Sequence, residues 1–519
     1  MFSMTQLVRR AAQTAPKGLA TWDGDRSFSW RELEVRLARF AGGLKALGVV
    51  PGDRVAILAL NSDRYFEFLF GVPWAGAIFV PINTRLAGPE VVHWLTDAGA
   101  RVLFLDRAHL DLFGRVRDSL PDVRHVIWVD RDAPPAGCLS YDELLAAGPM
   151  EDAGRRDDDL AGLYYTGGTT GRSKGVMLSH RNLVVNALQT MPLVNHGSNE
   201  RILHATPMFH IADGCVSMAS TAMSGANYFI PAFEPVAVMR AVEAHRIERM
   251  LLVPTMINML VNHPDIARYD LGSLRTVLYG ASPMPEAVIT KALEMLPDAR
   301  FYQAYGQTET SPILTVLRPE YHVTDGPLAG KLKSAGQALP GVDIAIMDDG
   351  DKIVPPRTVG EICARGPNIM LGYRNLKEQT ERALRGGWLH TGDGGFVDED
   401  GFLFIVDRVK DMIVSGGENV YSAEVESAIY DHPGVAQCAV IGIPSEKWGE
   451  QVHAIVVPKA GVPLTADAVI AHCRQRIAGF KCPRSVSFRA EALPLSGAGK
   501  ILKTELRKPF WEGRDRNVN

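Results

Sequence analysis

Paired cysteines, a surplus of one charge, long apolar runs and internal repeats are all missing from these 519 residues. The six cysteines are Cys138, Cys215, Cys363, Cys438, Cys473 and Cys482; none forms a C-x-x-C pair and none stands in zinc-ligand spacing. Scattered single cysteines in a long chain point to a reducing compartment. The net charge of −4, with no local run of Lys and Arg to reverse it, removes the electrostatic case for a nucleic-acid binder. No apolar run approaches the ~20 residues that a membrane span needs. The opening stretch MFSMTQLVRRAAQTAPKG lacks the apolar core of a signal peptide. The expectation is a cytoplasmic protein with no transmembrane segment.

What is present is ordinary for a globular enzyme: 46% apolar and 22% charged residues. The length implies roughly two to four units with ample core. An early helix is marked by a capping box, Ser29 with Glu32, followed by Leu33, Leu37, Phe40, Leu44 and Leu47 on one face. Gly48 stops it and Pro51-Gly52 turns the chain toward an apolar strand over residues 55–60. Helix and buried strand alternate onward through VLFLD, HVIWVD, MLLVPT and TVLYGAS, which predicts an α/β fold with largely parallel sheets. The last hundred or so residues change character. VAQCAVIGI and QVHAIVVPK read as two strands about a polar turn with helices on either side, a compact α+β unit with its own core. The join lies near DRVKD, residues 407–411, whose lack of Pro and Gly fits a single-pivot hinge better than a tether.

Residues 164–175 read YYTGGTTGRSKG. Backbone N–H groups of such a turn can converge on an anion, threonine hydroxyls add donors, and Lys174 supplies charge for a polyphosphate. It is not a Walker loop, because G-x-x-x-x-G-K-[ST] does not occur. On composition alone, a solvated surface loop and an anion cradle both remain open.

Further motifs follow in fixed order: PMFH (207–210), YGAS (279–282), YGQTE (305–309), WLHTGD (388–393), DRVKDMIVSGGENVYSAEVE (407–426) and LPLSGAGK (493–500). Together with the opening loop, these make nearly the whole chain resemble the adenylate-forming superfamily, most closely its acyl-CoA synthetase branch. Fatty-acyl-CoA ligases and 4-coumarate-CoA-ligase-like enzymes are the nearest types.

The resemblance implies a large multi-sheet N-terminal α/β domain, 1–407, and a small mobile C-terminal α+β domain, 408–519, hinged near Lys410. It implies that Thr166, Gly167, Gly168, Thr169, Thr170, Gly171 and Lys174 clamp the phosphates of ATP. Gly167 and Ser173 depart from the family's usual serine and proline. Tyr305 and Gly306 on one side, Gly280, Ala281 and Ser282 on the other, would enclose adenine, with Thr308 beside them. Glu309, with Thr166, would hold Mg²⁺ against the triphosphate. Asp393 and Arg408 would hold the ribose. Lys500 is the expected catalytic lysine of adenylation, where a carboxylate meets an anionic α-phosphate. His210 would stand by the acyl carboxylate, and Gly416-Gly417 would line the pantetheine channel of CoA.

The implied activity is that of an AMP-forming acid–thiol ligase with ATP, a carboxylic acid and CoA as its small-molecule substrates. A homodimer is compatible with it. Met208, Met218, Met223, Met256 and Met259, with Val253, Pro254, Ile313 and Leu314, offer an apolar, adaptable acid pocket if several line it. A medium- or long-chain fatty acid is the first expectation and a hydroxycinnamate the second. An acyl-AMP ligase that loads a carrier protein is the rival acceptor reading. An amino-acid-activating domain is disfavoured, because PMFHIAD lacks the F-D-x-S-like aspartate.

Overall fold

The computed structural model describes residues 1–166, 173–408, 412–415, 418–445, 447–497, 499 and 501–512; the side chains of residues 407, 408 and 419 are outside the description. Among the described residues the strands form four sheets. The capping box operates as expected: Ser29 N–H donates to Glu32 Oε2 at 2.8 Å, and the helix Trp30–Ala46 buries Leu33, Leu37, Phe40 and Leu44 completely. Gly48, at φ +81, ends it in the left-handed region that favours glycine. The strand expected over 55–60 runs Arg54–Leu58. Its last two residues leave the ladder, because Leu60 N–H is taken at 2.8 Å by the Asp106 carboxylate.

Two large sheets dominate. In the first, six parallel strands, from Arg300–Gly306 through Thr276–Gly280, Arg249–Leu252, Arg201–His204 and Ala226–Phe229 to Leu19–Asp23, are flanked by antiparallel edges. In the second, Leu160–Thr166, Ile78–Pro81, Arg54–Leu58, Ala100–Leu105, His125–Trp128 and Leu139–Ser140 run parallel. Most of these strands are apolar along their whole length because helices cover both faces. One core, with Phe40 and Phe66 from helices, Phe104 from the second sheet and Phe229 from the first, packs the two sheets together.

A four-stranded antiparallel sheet, Asp343–Met347, Gly360–Arg365, Leu389–Val397 and Leu403–Arg408, follows. The sequence reading did not anticipate it, since glycines in HTGDGGF blur its alternation. The change to the last sheet falls between Arg408 and Ile413. There the hairpin Val435–Ser445 with Gly449–Pro458 carries helices Ser422–Tyr430, Ala466–Arg474 and Lys503–Trp511 over cores of its own. The fold is therefore α/β with a large N-terminal domain and a smaller C-terminal one. No helix among the described residues is long and apolar enough to cross a membrane.

Three histidines are held neutral by this packing. Burial pushes His180, His322 and His453 each down to about 4, since removal from water disfavours the imidazolium. Unfolded, they take up protons near pH 6.5. Their contribution to stability is therefore whole above about 6.5 and is lost as pH falls toward about 4. The thermal unfolding midpoint should drop steadily across that window; a midpoint flat from neutral pH to about 4 contradicts the assignment.

Candidate active site

PMFH, YGAS and YGQTE lie at the carboxyl ends of parallel strands, where open α/β sheets present their crevices. YGAS closes the strand Thr276–Gly280 and YGQTE closes its neighbour Arg300–Gly306, with Gly280 paired to Ala304. A Cβ on Gly280 would lie 2.1 Å from the Ala304 carbonyl oxygen, so only glycine allows these strand ends to close up. Gly306 is held likewise against the Pro312 carbonyl, where a Cβ would come within 1.9 Å. Ala281 and Ser311 adopt left-handed φ of 70 and 69, a cost of about 1–2 kcal/mol each that sits on either side of YGQTE. Ser282 follows Ala281 at the same strand end.

Thr308, Glu309 and Thr310 form one 3-10 turn, which buries Glu309. Tyr373 O–H donates to Glu309 Oε1 at 2.8 Å. Burial, and then the charge of Glu309, push the Tyr373 phenol above its ordinary value, so it stays a donor. Lys174 Nζ lies 4.7 Å from the centre of the Tyr373 ring, within cation–π range. Thr166 and Lys174 face each other across the hairpin that flanks the glycine-rich loop. Lys174 and Glu309 are thus assembled around one aromatic ring, with Thr166 the register partner of Lys174. The main chain fixes that ring. Met370 N–H donates to Glu309 O, Leu371 N–H to Met177 O and Arg374 N–H to Gly175 O, at 2.8–2.9 Å.

Tyr305 O–H donates to Asp393 Oδ2 at 2.8 Å, joining the YGQTE and HTGD motifs. Asp393 is paired in register with Arg408 on the next strand. His210 caps the helix Ile211–Ala222, its Nδ1 accepting from Ala212 N–H at 3.3 Å. Beneath it, Asp213 binds His204 Nδ1 at 2.8 Å and Thr206 Oγ1 at 3.1 Å, while Asn61 accepts from Met208 N–H at 2.8 Å. Burial opposes a charge on His204, but the charge of Asp213 and the hydrogen bonds to Asp213 and Asn227 together outweigh it and raise its pKa. This buried network sets the course of the PMFH loop.

The small domain reaches the same crevice through Ser496, Gly497 and Gly499. Arg85 Nη1 donates to Ser496 O at 3.0 Å and Thr255 Oγ1 to Gly499 O at 3.3 Å. A Cβ on Gly497 would strike Asn83 at 2.4 Å. Gly167, Gly168, Thr169, Thr170, Gly171, Lys410, Gly416, Gly417 and Lys500 lie outside the described residues, as does the Arg408 side chain. The methionines expected to share an acid pocket are dispersed. Met208 and Met218 belong to the core between the sheets, Met256 to the core beneath the other face, and Met259 is half exposed. Met256 and Met259 share the helix Pro254–Val261, whereas Met218 lies on Ile211–Ala222 and Met208 in the loop before it.

The model of the AMP-binding enzyme family matches residues 8–374, and that of the AMP-binding enzyme C-terminal domain matches residues 424–500. The chain belongs to this family. Among relatives of this AMP-binding enzyme, the feruloyl-CoA synthase of an Amycolatopsis species is 41% identical over 96% of the chain and 98% of its own length. The fatty acid–[acyl-carrier-protein] ligase ScoC of Streptomyces coeruleorubidus is 37% identical over 100% and 98%. The crystal structure of the anthranilate CoA ligase AuaEII with anthranoyl-AMP superposes with a TM-score of 0.91 at 28% identity, covering 98% of this chain and 97% of that one. This AMP-binding enzyme is an acid–thiol ligase of the adenylate-forming superfamily.

Tyr373 was missed by the sequence reading. Its only local signal is Gly-Tyr after the apolar NIML, and its contact with Glu309 spans 64 positions. Asn61, Arg85 and Thr255 were missed for the same reason, their contacts spanning 147, 411 and 244 positions. Tyr373→Phe should raise the KM for MgATP about tenfold, the loss of one hydrogen bond to a charged group, with little effect on the KM for the acid. An unchanged KM for ATP contradicts a role for this contact in nucleotide binding.

Proposed function

We propose that the enzyme joins an aryl-propenoic acid of the hydroxycinnamate type to CoA through an acyl-adenylate. The likeness to feruloyl-CoA synthases over nearly the full chain carries this reading. The helix beginning beside His210 supports an apolar acid. Its one charged residue, Asp213, is committed to His204 and Thr206, which leaves no charge on that helix for a second carboxylate or an amine. A fatty acid stands second, with a carrier protein as alternative acceptor, on the likeness to the fatty acid–[acyl-carrier-protein] ligase.

In the first half-reaction the carboxylate oxygen of the acid attacks the α-phosphorus of ATP. The bond from that phosphorus to the bridging oxygen breaks and pyrophosphate leaves. The loop from Thr166 to Lys174 cradles the phosphates, and Lys500 stabilises the charge that builds on the α-phosphoryl oxygens. Docking of Ser496, Gly497 and Gly499 on Arg85, Asn83 and Thr255 supports this pose for the lysine loop. Tyr305, Gly306 and Thr308, with Gly280, Ala281 and Ser282, enclose adenine; Asp393 and Arg408 take the ribose. His210 stands beside the acyl carboxylate. Glu309 and Thr166 offer hard oxygen donors that suit Mg²⁺, which when bound neutralises phosphate charge.

For the second half-reaction the small domain, 408–519, turns about Lys410 against the large domain, 1–407. Lys500 withdraws and Gly416-Gly417 face the pantetheine arm. The CoA sulfur attacks the acyl carbonyl, the carbon–oxygen bond to AMP breaks, and the thiol proton goes to solvent. The mixed anhydride makes an unreactive carboxylate a good acyl donor.

A panel of acids from acetate through long-chain to hydroxycinnamic types, ranked by kcat/KM with CoA or a carrier protein as acceptor, tests the substrate. Highest kcat/KM for hydroxycinnamates with CoA is expected, and a fatty-acid maximum sinks the first reading. Lys500→Ala should abolish pyrophosphate release yet leave thioester formation from supplied acyl-AMP largely intact. Wild-type pyrophosphate release in that variant would refute the lysine assignment.

A further inference from the structure

Cys363 and His390 are register partners on the antiparallel strands Gly360–Arg365 and Leu389–Val397. Glu361 lies two residues before Cys363, so the pleat puts it on the same face. Three different donor atoms converge there. Cys363 Sγ is 3.3 Å and Glu361 Oε2 2.8 Å from His390 Nδ1, and all three ligand atoms lie within 4.8 Å of one another. Around a tetrahedral zinc ion, donors at about 2.0–2.3 Å stand about 3.3–3.6 Å apart. The sulfur–imidazole distance matches that spacing, the carboxylate–imidazole distance is tighter, and the third pair lies within 4.8 Å.

The geometry points to a binding site for a borderline-soft divalent cation, zinc above all, formed by Glu361, Cys363 and His390. Sulfur, imidazole and carboxylate together select zinc over the hard cations that an all-oxygen set would take. A water completes the fourth position. The outer support is in place as well. Gly392 N–H holds the other Glu361 oxygen at 3.0 Å, and the Asp351 carboxylate faces His390 Nε2 at 3.9 Å. Cys363 is fully buried, whereas the Glu361 side chain is 24% exposed, so the ion enters along the Glu361 edge.

Arg385 is the built-in competitor. It donates to Glu361 Oε2 at 3.3 Å but holds Asp351 more closely, at 2.8 and 2.9 Å. An arriving cation displaces only the longer of these contacts, and Arg385 stays on Asp351.

The test uses the full chain, stripped with a chelator and held in excess Mg²⁺ so that oxygen-only sites are filled. Cobalt titration should give a thiolate-to-cobalt charge-transfer band, and equilibrium dialysis should give one tightly held zinc per chain. Cys363→Ser should abolish the band and weaken zinc binding at least about tenfold, with His390→Gln weakening it similarly. Cys363→Ser should keep its thermal midpoint and its metal-stripped, Mg²⁺-supported ligase activity. Arg385→Ala, by removing the competitor, should tighten zinc binding, a gain that misfolding cannot mimic. No band in the wild type, a band that survives Cys363→Ser, or weaker zinc binding in Arg385→Ala each overturns the site.

Discussion

Five residues, 370–374, hold the site together. Their backbone N–H groups reach to the Glu309 carbonyl on one side and to Gly175 and Met177 on the other, so that turn and hairpin cannot drift apart. Tyr373 then projects from this stitch between Lys174 and Glu309. A buried carboxylate is costly unless hydrogen-bonded. The phenol meets that need without bringing a second charge into the place proposed for polyphosphate and Mg²⁺. Remove the stitch, and the glycine-rich loop and the YGQTE turn become features of two separate sheets.

The second organising constraint is close backbone approach. Gly280 and Gly306 let neighbouring carbonyls come where a Cβ would stand, and Gly497 does the same against Asn83. The first two tighten the strand ends proposed to enclose the nucleotide. The third lets the loop before Lys500 settle on a different domain from the one that carries it. Positive φ at Ala281 and Ser311 shows the same economy at work: strain is accepted where the backbone must be shaped and is held there by the surrounding ladder. Support from further away is polar. Asp213, His204 and Asn61 satisfy one another beneath PMFH, so the loop that presents His210 rests on a fully hydrogen-bonded floor.

The antiparallel sheet at the end of the large domain serves three ends at once. One strand carries Asp393 to Tyr305, its neighbour ends at Arg408 near the proposed pivot, and a cross-strand pair brings Cys363 to His390. Hard oxygen donors at Glu309 and Thr166 and mixed sulfur, nitrogen and oxygen donors here are suited to different cations, so one chain can keep them apart by chemistry alone.

The sequence by itself determined the local order: the capped helix after Ser29, the buried strands of TVLYGAS and MLLVPT, the α+β tail, and the family, because motifs of this kind are contiguous and their periodicity is a property of neighbouring residues. It also named Glu309, Asp393 and Tyr305. It could not tell which of them touch. Tyr373 on Glu309, Asn61 on Met208, Arg85 and Thr255 on the lysine loop, and Glu361 and Cys363 with His390 all join residues from separate stretches of chain. Cysteine spacing along the sequence excluded zinc-like arrangements, yet a strand pairing created one, since register across a ladder depends on how the chain returns and not on the distance between residues within it. The methionines teach the same lesson in reverse: all read alike as apolar side chains, and only the tertiary structure decided that Met208 and Met218 enter one core and Met256 another while Met259, on the same helix as Met256, stays half exposed, since a side chain's partners depend on where its helix docks.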